Sequence, residues 1–122
     1  MSFEEKLSEC MQIDGAIAVA IVDGASGMAI ATGGNPRNLD LNVAAAGASN
    51  VLRAKQGTIR DLGLDEQIED ILITLGSQYH LIRPLTDATG EGLAVYLILD
   101  KAKGNLAMAR FKLSKIEKDL KV

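Results

Sequence analysis

Residues able to do chemistry are few and poorly spaced for it. His80 is the one histidine and Cys10 the one cysteine in 122 residues. Neither a histidine-assisted hydrolase nor a multi-histidine metal site can be assembled within one copy, and Cys10 has no Cys or His neighbour at metal spacing. Asp65, Glu66, Glu69 and Asp70 form an acidic cluster, and paired carboxylates can share acid and base work. At the head of an alternating apolar segment they read more simply as charges that blunt a sheet edge against unwanted pairing. The loops at residues 24–27 and 32–35 are rich enough in glycine to suggest a phosphate cradle. Neither has the Gly-x-x-x-x-Gly-Lys-Ser/Thr form or opens a helix after a strand. Gly90-Glu91-Gly92 precedes a strand, the reverse of a dinucleotide fingerprint. All three are turns. No catalytic residue, metal ligand or cofactor-binding residue is assigned, no cofactor is expected, and the chain reads as a binding protein with no enzymatic activity of its own.

The elements that would position a binding surface follow from periodicity. Ser2 with Glu5 makes a capping-box pattern, and Phe3, Leu7, Cys10 and Met11 recur at helical spacing. Residues 13–22 then alternate, with Ile13, Ile17, Val19 and Ile21 on one face and Ala16, Ala18, Ala20 and Val22 on the other. Both faces are apolar, so both should be covered, the alanine face by something that approaches closely. A turn at residues 23–27 returns a second strand over 28–32. Gly33-Gly34-Asn35-Pro36 breaks the pattern before a long helix that starts near Asn38 or Asp40, ends at Leu62 and is stopped by Gly63. Further strands are expected at residues 67–75, 78–83 and 92–100, the last of them central. A final helix over 105–120 carries Leu106, Ala109, Leu113, Ile116 and Leu120 at spacings of three and four. Short turns imply antiparallel pairing. The expected fold is a three-layer α/β/α sandwich of order α-β-β-α-β-β-β-α around a five-stranded, mainly antiparallel sheet, with residues 1–122 forming one domain.

Composition limits the partners. The net charge of −3, the pI near 5.1 and the scarcity of aromatic residues give no basis for gripping a phosphate backbone or stacking bases, so no nucleic acid is expected. The longest apolar and glycine run, residues 15–22, is far below the roughly 18 to 20 residues that span a bilayer, so no membrane insertion is expected. The acidic start lacks a signal peptide's basic segment, and a cytoplasmic location is expected. An acidic first helix (Glu4, Glu5, Glu9) and a basic last one (Arg110, Lys112, Lys115, Lys118, Lys121) would be complementary side by side, each exposed pair contributing about 0.2 to 1 kcal/mol.

The long middle helix is the least ordinary element. Ala44-Ala45-Ala46-Gly47-Ala48-Ser49 has almost no bulk on any side, and interior Gly47 and Gly57 each lose about 1 kcal/mol of helix propensity against alanine. Small residues all round let two backbones approach, and two readings follow: close packing on the alanine face of the first strand alone, or that packing together with a seam against a copy of the same helix in a second subunit.

Tyr79-His80-Leu81-Ile82-Arg83-Pro84-Leu85 on a strand and Gly104-Asn105-Leu106-Ala107-Met108-Ala109-Arg110 opening a helix, together with the Gly-Ala-rich first strand ending in Asp23-Gly24, Ala48-Ser49-Asn50-Val51-Leu52 and Ile71-Leu72-Ile73, resemble the roadblock/dynein light chain family in its bacterial or archaeal, MglB-like branch. The resemblance covers nearly the whole chain. It implies a homodimer in which third strands pair edge to edge and the long helices lie together on one face. That would place Ile68, Asp70, Leu72 and Thr74 at the sheet seam and Ala44, Gly47, Ala48 and Val51 near the helix seam. It also implies that this helical face holds a small Ras-like GTPase and alters its nucleotide state, with Arg53, Lys55, Gln56 and Arg60 as exposed candidates. The alternative is an adaptor subunit of a signalling or motility complex that holds partners regardless of nucleotide.

Overall fold

The computed structural model describes residues 3–34 and 36–122; Ser2 of the expected capping box and Asn35 of the expected break lie outside them. Along the chain come α1 (Phe3–Met11), β1 (Ala16–Asp23), β2 (Ala29–Gly33), α2 (Leu41–Asp61), β3 (Ile71–Thr74), β4 (Gln78–Pro84), a 3-10 turn (Ala88–Gly90), β5 (Leu93–Asp100) and α3 (Leu106–Lys118). The strands form one sheet in the order β2-β1-β5-β4-β3, antiparallel at every neighbour. This is the three-layer sandwich that the periodicity predicts, with β5 at its centre.

Two cores separate on the two faces of the sheet. Leu7 and Cys10 of α1 join Ala109 and Leu113 of α3 over Val19, Ile21, Leu81, Val95 and Leu97. On the other face Ala45, Ala48 and Leu52 of α2 meet Ala20, Val22, Ile82, Ala94, Tyr96 and Ile98. The alanine side of β1 therefore receives a helix whose own contact residues are small, which brings the two backbones close. Ser49 can be buried in this layer because its hydroxyl donates to the Ala46 carbonyl at 2.8 Å. The expected faces of β1 hold from Ala18 onward, Ala18 pairing with Ile98 of the α2-side core. They invert before it, because a register irregularity between Ala16 and Ala18 sends Ile17 to the α2 side and Ala16 to the other.

Caps fix the long helices. The Asp40 carboxylate accepts from the backbone N–H groups of Asn42 and Val43 at 2.9 and 3.4 Å, and Asn105 does the same for Met108 at 3.0 Å. Gly15 marks a tight crossing: with φ of +82°, a Cβ there would sit 2.7 Å from the Cα of Gly104, so the start of β1 and the entry to α3 depend on having no side chain.

The third strand is shorter than its sequence pattern suggests. Residues 67–70 are not in the ladder, and β3 starts at Ile71. Ile68 packs with Ile71 and Ile73 on the α2 side, which a regular strand cannot allow for residues three apart. Asp70 turns to the opposite side to meet two arginines. The charged pair in α1 and α3 is also used differently from expectation: Glu9 pairs with Lys6 of its own helix at 3.5 Å, and Arg110 reaches Asp70 at 2.7 Å.

Candidate functional site

Helix α2 turns Ala45, Ala48 and Leu52 to its own sheet and leaves Val43, Ala46, Gly47, Asn50, Val51 and Ala54 exposed. No atom lies within 4 Å of a Cβ built on Gly47, and one built on Gly57 meets only the end of Arg60, at 3.6 Å. Packing within one copy gives no reason for either glycine. Of the four positions expected at a helix seam, Gly47 and Val51 are on open surface and Ala44 is half-buried. Ala48 departs from the expectation. It is 6% exposed and belongs to the copy's own core, because the helix phase puts it one turn from Ala45 and Leu52 on the inward stripe.

The C-terminal half of α2 is flanked by two open grooves. One, of about 790 Å³, brings Val51 and Lys55 together with Ile68 and Asp70. The other, of about 710 Å³, has Arg53, Gln56 and Arg60 on one wall, an apolar floor that includes Leu52 and Ile68, and Glu66, Asp87 and Glu91 on its rim. The fold thus brings Val51, Ile68 and Asp70 of the expected seam beside the residues expected to hold a partner, along the C-terminal half of α2. Arg53 is partly committed, since its guanidinium donates to the Ala25 carbonyl at 3.0 Å and to the Asn50 side chain. Leu72 faces the α1/α3 core and Thr74 is exposed at the end of β3.

A buried ion network lies behind these grooves. Glu117 is fully buried, accepts from Arg83 Nε at 3.2 Å and also accepts from the backbone N–H of Thr86. Arg83 approaches Asp70 at 3.9 Å, and Arg110 grips the same carboxylate with two donors at 3.1 and 2.7 Å. The network ties α3 to β4, to the segment before β3 and to the loop that rims the second groove. Sequence reasoning missed it, although the signal was present. Arg83 lies two residues after Leu81 and so on the same buried face of β4, and Glu117 falls four residues after Leu113 on the inward stripe of α3, so each needed a buried partner.

His80 is half-buried and has a hydrogen-bond partner at each ring nitrogen. Its Nε2 lies 2.9 Å from the Gln78 side-chain oxygen and its Nδ1 2.6 Å from the Tyr96 hydroxyl. The arrangement fits a ring that donates from Nε2 and accepts at Nδ1. Burial lowers the His80 pKa and raises that of Tyr96. Burial also pushes the Cys10 thiol up to about 12, with Glu9 adding to the rise, so this sulfur stays protonated and unreactive in the folded chain. Among the described residues no group of three or more His, Cys, Asp or Glu could hold a metal ion, and no helix is long and apolar enough to cross a membrane.

A family model of the Roadblock/LC7 domain matches residues 2–108. No curated protein matches the sequence. Several solved structures share the fold. A Roadblock/LC7 domain from Streptomyces avermitilis aligns at 13% identity over 97% of this chain and 93% of its own, with a TM-score of 0.79. Myxococcus xanthus MglB aligns at 18% identity over 96% of this chain and 92% of its own, with a TM-score of 0.76. The gliding protein mglB from Thermus thermophilus aligns at 18% identity over 96% of this chain and 89% of its own, with a TM-score of 0.71. Identities this low establish likeness of fold.

Proposed function

The chain belongs to the Roadblock/LC7 domain family, and from that premise we propose that it is a cytoplasmic, non-catalytic homodimer that regulates a small Ras-like GTPase. The observation that carries the dimer is Gly47. A solvent-facing glycine in the middle of a 21-residue helix, with no atom within 4 Å of its absent Cβ, lowers helix stability by about 1 kcal/mol and gives nothing back within one copy. A second α2 packed across it explains why the position is small. Gly47, Val51 and the half-buried Ala44 form this seam, and Ile71–Thr74 offers a free strand edge beside it, since β3 ends the sheet.

The GTPase side of the proposal rests on family and fold. Gly47 and Val51 would be covered by the second copy, leaving Arg53, Lys55, Gln56 and Arg60 at the border of the seam as partner contacts. The test is capture from native lysate on the immobilised protein, divided between a non-hydrolysable GTP analogue and GDP. Retention of a small GTPase in one nucleotide state is the expected result. Partners retained equally in both states would replace regulation with the adaptor reading, and a chain that stays monomeric at micromolar concentration would remove the dimer.

A further inference from the structure

The face opposite α2 carries its charge in two stripes of opposite sign. On α1, Glu4, Glu5 and Glu9 are exposed, Glu9 while paired with Lys6 of its own helix at 3.5 Å; on α3, Lys112, Lys115 and Lys118 are exposed. Glu5 and Glu9 lie one turn apart on the outward crest of α1, and Lys115 and Lys118 share the crest of α3. Met108 and Phe111 stand beside them, 49% and 56% exposed. The Lys115 ammonium sits 4.8 Å from the Phe111 ring centroid. Among the described residues, no ion pair occupies the three exposed α3 lysines.

We propose that this face docks a second copy of the same chain, turned about a twofold axis running between α1 and α3, so that the acidic α1 of each copy lies on the basic α3 of the other. An anionic membrane or a uniformly acidic partner would be drawn to α3 and repelled by α1. A partner that satisfies both stripes must carry the same two stripes in reverse order, and a twofold rotation about the line between them generates that partner from the chain itself. Met108 and Phe111 supply apolar area to the contact. The ion pairs are solvent-exposed, so the association is weak and sensitive to salt. It does not rest on the α2 seam, which lies on the other side of the sheet.

The test is sedimentation velocity of the full chain at low and high salt. The expected result is a heavier species at low salt that recedes at high salt, and that Glu9→Lys and Lys115→Glu each remove when made alone. An equimolar mixture of the two variants should restore it, because in a mixed pair the two substituted positions face each other with opposite charge and the second α1–α3 contact keeps its original charges. A wild type with no salt-sensitive step, or a mixture no heavier than its components, overturns the proposal. If a charge reversal perturbs folding, Lys115→Gln and Lys118→Gln, which leave α1 and its Lys6–Glu9 pair intact, must each weaken the same step. Co-sedimentation with phosphatidylserine vesicles in place of self-association would also overturn it. Gly47→Ala should leave this step unchanged, which separates its failure from failure of the α2 dimer.

Discussion

Replacing Gly47 with alanine sets the two environments of α2 against each other. In a single copy the new methyl meets nothing within 4 Å, so the change should give only what alanine gives a helix, about 1 kcal/mol. For a chain of this size that corresponds to a rise of roughly 3 to 5 °C in melting temperature. Across a close helix seam the same methyl is overpacking, which destabilises by about 1 to 3 kcal/mol. Dimer dissociation would then become about 5- to 150-fold easier. Thermal unfolding at a dilution where the chain is monomeric measures the first effect, and sedimentation equilibrium measures the second. Gly57→Ala is the control, since its Cβ would meet only the flexible end of Arg60 at 3.6 Å. A melting temperature that fell in the dilute monomer would refute the reading of Gly47 as unpacked. A rise with unchanged dimer affinity would show that no seam crosses it.

Other outcomes follow from the buried groups. Glu117→Ala should destabilise by about 3 to 5 kcal/mol, because it leaves Arg83 buried without its main partner; urea unfolding measures this, and a loss below about 1 kcal/mol would mean Asp70 alone suffices. Replacing Arg83 and Glu117 together by apolar residues of similar volume should destabilise by less than the sum of the single changes. His80 titrates below its ordinary 6.5 in the folded chain because of burial, so the unfolded state takes up the proton first. Its contribution to stability is complete above pH 6.5 and declines as pH falls through that value towards the lower folded pKa. His80→Gln should flatten this part of the urea midpoint against pH curve, and an identical slope in both proteins would assign the decline to other groups. Cys10 should react with a thiol reagent only as fast as the chain opens, given burial and a pKa of about 12; rapid modification of the native protein would contradict its placement.

Regular elements were legible because one periodicity ran through each of them. The helix spacing of Leu106, Ala109, Leu113 and Ile116 and the two apolar faces of β1 and β5 fixed element type, order and layer. The misreadings fall where a local competitor overrode the pattern. Residues 67–70 alternate well enough to suggest a strand, yet Ile68 packs on the same side as Ile71, three residues on, while Asp70 is held on the other side by Arg83 and Arg110. The bulge at Ile17 could not be seen from alternation, since every residue there is apolar. Ala48 was misplaced for a related reason. In a helix that is small all round, composition does not say which alanine faces inward, and only the positions of Leu52 and the sheet decide it.

The same ambiguity separates the two faces of the molecule. Side-chain size on α2 carries the argument for one contact, because alanine and glycine admit a neighbour without selecting it by charge. The α1/α3 face works in the opposite way: its glutamates and lysines say little about how closely a neighbour can approach but a good deal about its orientation. A contact across α2 should therefore tolerate salt and fail when methyl groups are added. A contact across α1 and α3 should tolerate added methyl groups and fail in salt or on charge reversal. Each perturbation leaves the other face untouched, so the measured response assigns the contact to its face.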